Sequence, residues 1–356
     1  MTRELLDFYK NKRILVTGHT GFKGSWLCSI LLTAGAQVYG YALAAPEEEN
    51  IFDILKLNGR MNSNLGDVRD FGRLESVFDE ARPEIVFHLA AQPLVRLSYS
   101  EPVETFSTNI MGTIHLLEAL RNSGGVKACV VVTTDKVYEN NGQTRCYAEE
   151  DRLGGRDPYS ASKACSELVT KCYNKAYFEN ESSAAVATAR AGNVIGGGDY
   201  AKDRIIPDCI RSARRNETII VRNPHSVRPW QHVLEPLSGY MLLAEKLAGG
   251  CVKTEKAFNF GPEPDDLTAV GELTDIFCKC WGDKLRWEHR SEDCAPHEAS
   301  VLLLDSTKAK KTLGWGPKLN ARQAVKLTVE WERSADKLAA SERQIEQYFE
   351  SGGIIE

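Results

Sequence analysis

The 356-residue chain contains no apolar run approaching the ~18 residues that a membrane-spanning helix needs. Its first twelve residues, MTRELLDFYKNK, are too polar for the apolar core of a secretory signal. No basic block occurs, and 44 Lys+Arg against 49 Asp+Glu leave a formal charge of −5. That balance argues against general binding to nucleic acid or a membrane surface, though not against an anionic ligand in a local pocket. The ten cysteines form no CxxC pair, and Cys278 and Cys280 have no matching Cys or His pair to complete a tetrahedral zinc site. No His/carboxylate cluster has ligand spacing, so no metal is expected. Most cysteines sit in apolar stretches, as Cys129 does in KACVVVTT, and read as small buried hydrophobes in a reducing compartment. The expected location is the cytoplasm. Internal repeats and low-complexity tracts are also lacking.

What is present reads as an ordinary folded chain, 42% hydrophobic and 26% charged. Its length suits about two domains of ~150 residues, or one enlarged α/β unit. The first half alternates apolar runs with helical patterns. Strands are expected over 13–18, 37–43, 61–68, 84–91, 128–134 and 183–192, with helices from Gly24 through Gly35 and over 71–81, 103–122 and 159–178. Apolar strands separated by amphipathic helices make βαβ units, and hence an α/β fold of Rossmann type, a doubly wound parallel sheet. After Gly192 the texture turns rich in Gly, Pro and charge, at 196–207, 222–233 and 259–267. A smaller, discontinuous substrate-binding domain is expected there. The division is 1–192 plus about 230–260 for the nucleotide-binding domain, and 193–229 plus about 261–356 for the substrate domain. The stretch 320–349 reads as one polar helix, with SGGIIE after it expected to fray.

Gly18, Gly21 and Gly24 lie in VTGHTGFKGSW, directly after the first strand. Glycines there permit a tight turn and let backbone amides and a helix N-terminus approach a pyrophosphate. A glycine turn without a ligand has the same spelling; the βαβ setting is what favours a dinucleotide. The acid that usually ends the second strand and holds the adenosine ribose is missing from Tyr41–Ala44, and Glu47–Glu49 lie beyond it. No arginine stands there for a 2′-phosphate either. The expectation is NAD rather than NADP, with a weak hold on the adenosine. Asp67 and Val68, after the third strand, are positioned for the adenine edge. His88 in IVFHLAA reads as a core histidine.

Tyr159 and Lys163 stand at i, i+4 in DPYSASKA and project from one helix face. An adjacent ammonium lowers a phenol from its ordinary pKa of ~10, so Tyr159 is expected to accept a proton from a sugar hydroxyl. Thr134 closes the fifth strand, and Asp135 and Lys136 follow it. Two ionisable residues at the end of a buried strand are seldom there for packing, although a simple ion pair remains open.

The glycine turn, Thr134 and YSASK together resemble the extended short-chain dehydrogenase/reductase superfamily. The resemblance covers nearly the whole chain, including TNIMGT (108–113), NVIGGGD (193–199) and LGW (313–315). TGHTGFKGSWL, AAQPLVRLSY (90–99), TTDKVY (133–138) and HEA (297–299) are similar to the CDP-glucose 4,6-dehydratases within it. Asp-Lys after Thr134 separates the chain from simple sugar epimerases, which carry small uncharged residues there, and from dTDP-glucose dehydratases, which carry Asp-Glu. The resemblance implies NAD recycled in each turnover, contacted by Gly18, Thr20, Gly21, Phe22, Lys23, Gly24, Asp67, Val68, Leu89, Ala90, Ala91, Thr108, Tyr159 and Lys163. It also implies dehydration of CDP-glucose to CDP-4-keto-6-deoxyglucose, an early step towards the deoxysugars of surface polysaccharide. Tyr159 takes the C4 hydroxyl proton, Thr134 steadies that oxygen, Lys136 removes the C5 proton and Asp135 protonates the departing C6 hydroxyl.

A diphosphate needs a local cationic clamp, and arginine grips one in a bidentate way. The candidates are Asn193, Arg204 and Arg228, with Arg96 and Gln92 towards the sugar; His297 and Glu298 are placed near the base. A homodimer through the helices around 103–122 and 159–178 is implied, with dimer pairing into tetramers open. Rival readings are an epimerase, a dehydratase for another sugar nucleotide, and a dinucleotide sensor that lost the chemistry.

Overall fold

A computed structural model describes residues 3–140, 145–180, 183–252, 256–282, 284–290 and 302–350. The expected fraying tail SGGIIE, and the HEA motif with His297 and Glu298, lie outside the described residues. Seven strands form one sheet: β1 (Arg13–Thr17), β2 (Gln37–Ala42), β3 (Asn62–Leu65), β4 (Ile85–His88), β5 (Ala128–Val132), β6 (Ala185–Ala191) and β7 (Ala257–Phe260). Their order is β7-β6-β5-β4-β1-β2-β3, and every neighbouring pair is parallel. Parallel strands need both faces covered, and β5 (ACVVV) is buried at every residue. The four residues of β7, unremarkable in sequence, join because β6 offers them a buried edge. The order reverses between β1 and β4, and a ligand belongs in the crevice beyond the carboxyl ends of those strands.

On one face, α1 (Phe22–Thr33) is apolar on all sides, with Gly24 through Leu31 buried. It packs in one core with α6 (Leu234–Ala248). On the other face lie α2 (Phe71–Ala81), α3 (Gly112–Asn122) and α4 (Pro158–Tyr177), and α2 and α3 form a second core with β1, β4 and β5. A third core, away from the sheet, joins α5 (Ile205–Arg214), α7 (Val270–Trp281) and α8 (Ala321–Arg333) through Ile206, Cys209, Leu273, Phe277 and Val325.

Two helix expectations need correction. The single polar helix over 320–349 is two, α8 and α9 (Lys337–Glu350), broken at Ser334. Neither is a solvated face. Trp331, Ile345, Tyr348 and Phe349 are buried in the same core as α1 and α6, because aromatic side chains at helical spacing among charges still make a buried stripe. The helix over 103–122 is also interrupted: Pro102–Phe106 leads into a single wide turn at Ser107–Met111, and α3 starts at Gly112. A Cβ on Gly112 would lie 2.5 Å from Val68 Cγ1, so the helix can approach the end of β3 only without a side chain there. No helix among the described residues is long and apolar enough to cross a membrane.

Candidate active site

β1 ends at Gly18, whose φ of +75° is a left-handed backbone that glycine adopts freely. A Cβ there would lie 2.7 Å from Ala90 N, and one on Gly24 would lie 2.0 Å from Gly18 O. The turn therefore packs backbone against backbone. Gly21 is exposed at the mouth of α1, and the first helical bond runs from Ser25 N to Gly21 O at 2.8 Å. The amides of Phe22, Lys23 and Gly24 precede it, which is the anion cradle of a helix N-terminus. Beside it, Leu89 N and Ala90 N reach Thr17 O and Thr17 Oγ1 at 3.1 and 3.2 Å, holding Leu89, Ala90 and Ala91 along the groove. Thr20 Oγ1 donates to Leu43 O at 2.9 Å, closing the end of β2. That end carries exposed Leu43 and no carboxylate, and Glu49 is held by Arg214 and Tyr200.

The reacting end is built by β5 and α4. Thr134 caps the turn Asp135–Val137, and its Oγ1 donates to Asp135 Oδ1 at 2.9 Å. Asp135 is fully buried, and Lys136 Nζ lies 3.3 Å from the same oxygen while a third of its side chain stays exposed. α4 begins with Asp157 as its cap, accepting from Ser160 N at 2.8 Å, and Pro158 at its first position. Tyr159 is thus held in the first turn, where its side chain and Thr134 both line one cavity. One turn on, Lys163 Nζ donates to Val132 O at 3.0 Å.

Burial dominates the electrostatics of both groups. Burial pushes the Tyr159 phenol up to about 12, opposed by the nearby Thr134 hydroxyl. Burial, and then the charge of Lys23, bring Lys163 itself to about 7. A buried cation weakens before it can stabilise a buried anion. Lys23 is lowered to about 8, by burial and then by Arg204. His88 is the core histidine expected: Nδ1 lies 2.7 Å from Thr17 Oγ1, and burial lowers it to about 3.

A cavity of about 940 Å³ opens over this end, lined by Thr134, Asp135, Lys136 and Tyr159 on one side and Asn193, Arg204 and Arg228 on the other. Its lining carries eight Lys or Arg against five Asp, although the chain as a whole is acidic. An anionic ligand fits that reversal. Asn193 has φ +41°, turning the chain after β6 so that Asn193 and Val194 both face the cavity. Arg204 is bonded to Asp199 at 2.9 Å.

The sequence model of the GDP-mannose 4,6-dehydratase family matches residues 15–328. The chain belongs to that family. It is 48% identical to CDP-glucose 4,6-dehydratase of Salmonella typhimurium, over 96% of this chain and 98% of that protein. Among solved structures, it is similar to UDP-glucose 4-epimerase of Thermotoga maritima with UDP-glucose (TM-score 0.76, 27% identity, 90% of this chain and 98% of that one). It is also similar to the Thermus thermophilus UDP-glucose 4-epimerase in complex with NAD (TM-score 0.77, 25% identity, 91% and 99%). The glycine turn fits a dinucleotide such as the NAD of that epimerase: a Cβ at Gly18 or Gly24 would run into backbone and crowd the cradle.

Several expected contacts take other partners. Gln92 does not line the cavity; its amide donates to Thr105 Oγ1 at 2.8 Å and to Leu94 O, and accepts from Leu94 N, so local loop bonds use it up. The Asp67 carboxylate is gripped by Arg69 at 2.5 Å rather than free for adenine. Val68 is buried beside Gly112. Thr108 lies in the wide turn and donates to Glu104 at 3.4 Å. Phe22, Lys23 and Arg96 line the cavity, and Arg96 faces Asp203 at 3.6 Å. Sequence reasoning missed Asp199, the partner of Arg204, and the Asp157 cap, which the Asp-Pro spelling before Tyr159 signals. It also missed Tyr240, whose buried hydroxyl has no hydrogen-bond partner among the described residues and whose ring lies 5.9 Å from Lys23 Nζ.

Proposed function

We propose that the protein dehydrates CDP-D-glucose to CDP-4-keto-6-deoxy-D-glucose. The observation that carries the reading is the run Thr134-Asp135-Lys136 at the mouth of β5, facing the Tyr159 hydroxyl inside a cationic cavity. An epimerase needs an acceptor for one proton, whereas loss of water across C5 and C6 needs a further base and a further acid. Lys136 and Asp135 supply both.

NAD, when bound, takes up the C4 hydrogen with its electron pair and later returns it to C6. Tyr159 accepts the C4 hydroxyl proton, with Thr134 beside the same oxygen. The ketone so formed acidifies C5, whose proton passes to the Lys136 amine. Asp135, in its protonated form, gives a proton to the C6 oxygen as it leaves. Lys136, whose partly exposed amine exchanges its protons with solvent, then protonates C5. Lys163 orients the Tyr159 helix through Val132 O. Arg228 and Asn193 line the far side of the cavity, which supports their holding the diphosphate, with Arg204 nearer Tyr159.

The same reading includes a homodimer. Val103 is 80% exposed and Leu168 56%, and Met111 is exposed too, an apolar set on neighbouring elements around α4. Free cysteines at every described position support a reducing, cytoplasmic setting. The C4 ketone is a handle for a later reductive step, which supports a place early in making a deoxysugar for surface polysaccharide.

The test is Lys136→Met with CDP-glucose in deuterated water. The variant is expected to lose dehydration and C5 exchange together while still binding NAD. Full dehydration with normal C5 exchange would remove Lys136 from the mechanism.

A further inference from the structure

We propose that the third core builds a pyrimidine pocket at its end of the cavity, where Asp208 and Arg222 stand side by side and select cytosine. Asp208 accepts from the exocyclic amine of the base, and Arg222 donates to the ring nitrogen and carbonyl next to it. The inference rests on the CDP-glucose reading above and names the residues that make the base matter.

Two groups of elements wall the cavity. Thr134, Asp135 and Tyr159 come from the sheet side, whereas α5, the start of α7 and the short strand Ile219–Val221 belong to the third core. A sugar that reacts at the mouth of β5 therefore points its nucleotide towards the third core. α5 runs in that direction: Arg204 is its cap, and Asp208 follows on the same face about 6 Å along the axis. Both line the cavity. In the short strand, Ile219 and Val221 are buried in the third core, while Ile220 and then Arg222 alternate to the cavity side. Pro207, Ile220 and Val270 give this end an apolar lining that suits the flat face of a ring. The polar edge is held in place from behind. Asp208 Oδ1 accepts from Arg211 in its own helix. Arg222 Nη1 donates to Asp203 Oδ1 at 3.0 Å, and the Arg222 carbonyl lies 3.2 Å from His289 Nε2. Asp208 Oδ2 and Arg222 Nη2 are then 4.0 Å apart, close neighbours beyond hydrogen-bond reach of each other.

Cytosine offers along one edge an amine that donates, then a ring nitrogen and a carbonyl that accept. A carboxylate beside a guanidinium is the complement of that order, since a carboxylate accepts from the cytosine amine and only a donor suits the other two atoms. Both contacts are charge-assisted. With five N–H groups, a guanidinium can hold Asp203 and still donate to a base. Uracil and thymine put a carbonyl where cytosine has its amine and an N–H where cytosine has its ring acceptor. Against the same two side chains the carbonyl meets the carboxylate and the N–H meets the guanidinium. Each partner then loses a bond and faces its own kind. A site that leaves polar groups unpaired with the wrong ligand discriminates more strongly than one that merely lacks a contact. Neither residue touches the reacting carbons, so the pocket governs which nucleotide binds and leaves the dehydration itself to the residues at β5 and α4.

The test titrates three nucleotides by calorimetry: CDP, UDP, and the diphosphate of 2-pyrimidinone riboside, which is CDP without its amine. Wild type is expected to bind CDP about a hundredfold more tightly than UDP and about tenfold more tightly than the analogue. Asp208→Ala should bind CDP and the analogue equally. Asp208→Asn, whose amide can turn either end to the base, should narrow the preference for CDP over UDP by about tenfold or more, partly through tighter UDP. Melting temperature and NAD binding show that each variant is folded. If Asp208 only braced its helix through Arg211, its loss would weaken all three nucleotides alike, and unchanged ratios in both variants overturn the assignment. So does a wild type that binds the analogue as tightly as CDP, a result that needs no variant. Those outcomes leave the dehydratase reading intact as long as wild type still releases water from CDP-glucose. If wild type binds UDP as tightly as CDP and dehydrates UDP-glucose as well, the cytidine reading fails and the pocket with it.

Discussion

At the scale of single residues, the site depends on groups that tolerate almost no change of shape. Gly192→Ala places a methyl 2.1 Å from Asp135 Oδ2, and neither the buried carboxylate nor the strand end can give way. Turnover should fall by roughly two orders of magnitude while NAD still binds, since a small misplacement of a reacting group costs about that much; fluorescence titration with NAD alongside a rate measurement checks both. Lys163 makes a statement about stability. Its pKa is near 7 folded and ordinary unfolded, so between those values the unfolded chain binds more protons and stability rises with pH. Lys163→Met removes that slope. Its melting temperature relative to wild type should therefore decline steadily from neutral to alkaline pH, and a constant difference would contradict the assignment. The places of Thr134, Asp135 and Lys136 at a strand end and of Tyr159 and Lys163 on one helix face were legible in the sequence, while their roles come from the family resemblance. The direction of the Tyr159 shift was not, because it comes from burial in the folded chain, which no local spacing reveals. The hydrogen bonds of Gln92 were not legible either, since one of its partners, Thr105, lies in a helix beyond the loop.

At the scale of elements, α4 is clamped at two points. The Asp157 cap sets its start, and Asp157→Ala should cost about 1 kcal/mol in a urea melt, with a larger fall in kcat than in NAD affinity because Tyr159 rides in that turn. Glu167, one turn beyond Lys163, accepts from Thr133 on the β5 side at 2.5 Å, from Thr188 at 2.8 Å and from Arg190 at 2.9 and 2.7 Å. The pair is buried, with 3% and 4% of the side chains exposed. Removing one partner leaves the other charge stranded, so Glu167→Ala should destabilise by roughly 3–5 kcal/mol, measured by denaturant unfolding. The strands of the first half were readable as apolar runs between helical patterns, while their order in the sheet comes from the structure. The break at Ser334 and the wide turn at Ser107–Met111 were not, since tertiary partners, Val68 among them, decide where those helices bend.

For the whole molecule, the parallel sheet and the third core stand on either side of one cavity, and the cations of that cavity oppose the charge of the chain. The end of β2 offers adenosine ribose no carboxylate among the described residues, so dialysed protein should regain turnover on addition of NAD. The most direct measurement is mass spectrometry of the products from CDP-, dTDP-, UDP- and GDP-glucose in deuterated water with NAD present. The account predicts loss of one water, with one deuterium retained at C5, from CDP-glucose alone. No loss of water from any of the four sugars would contradict the roles given to Asp135 and Lys136, and with them the reaction itself.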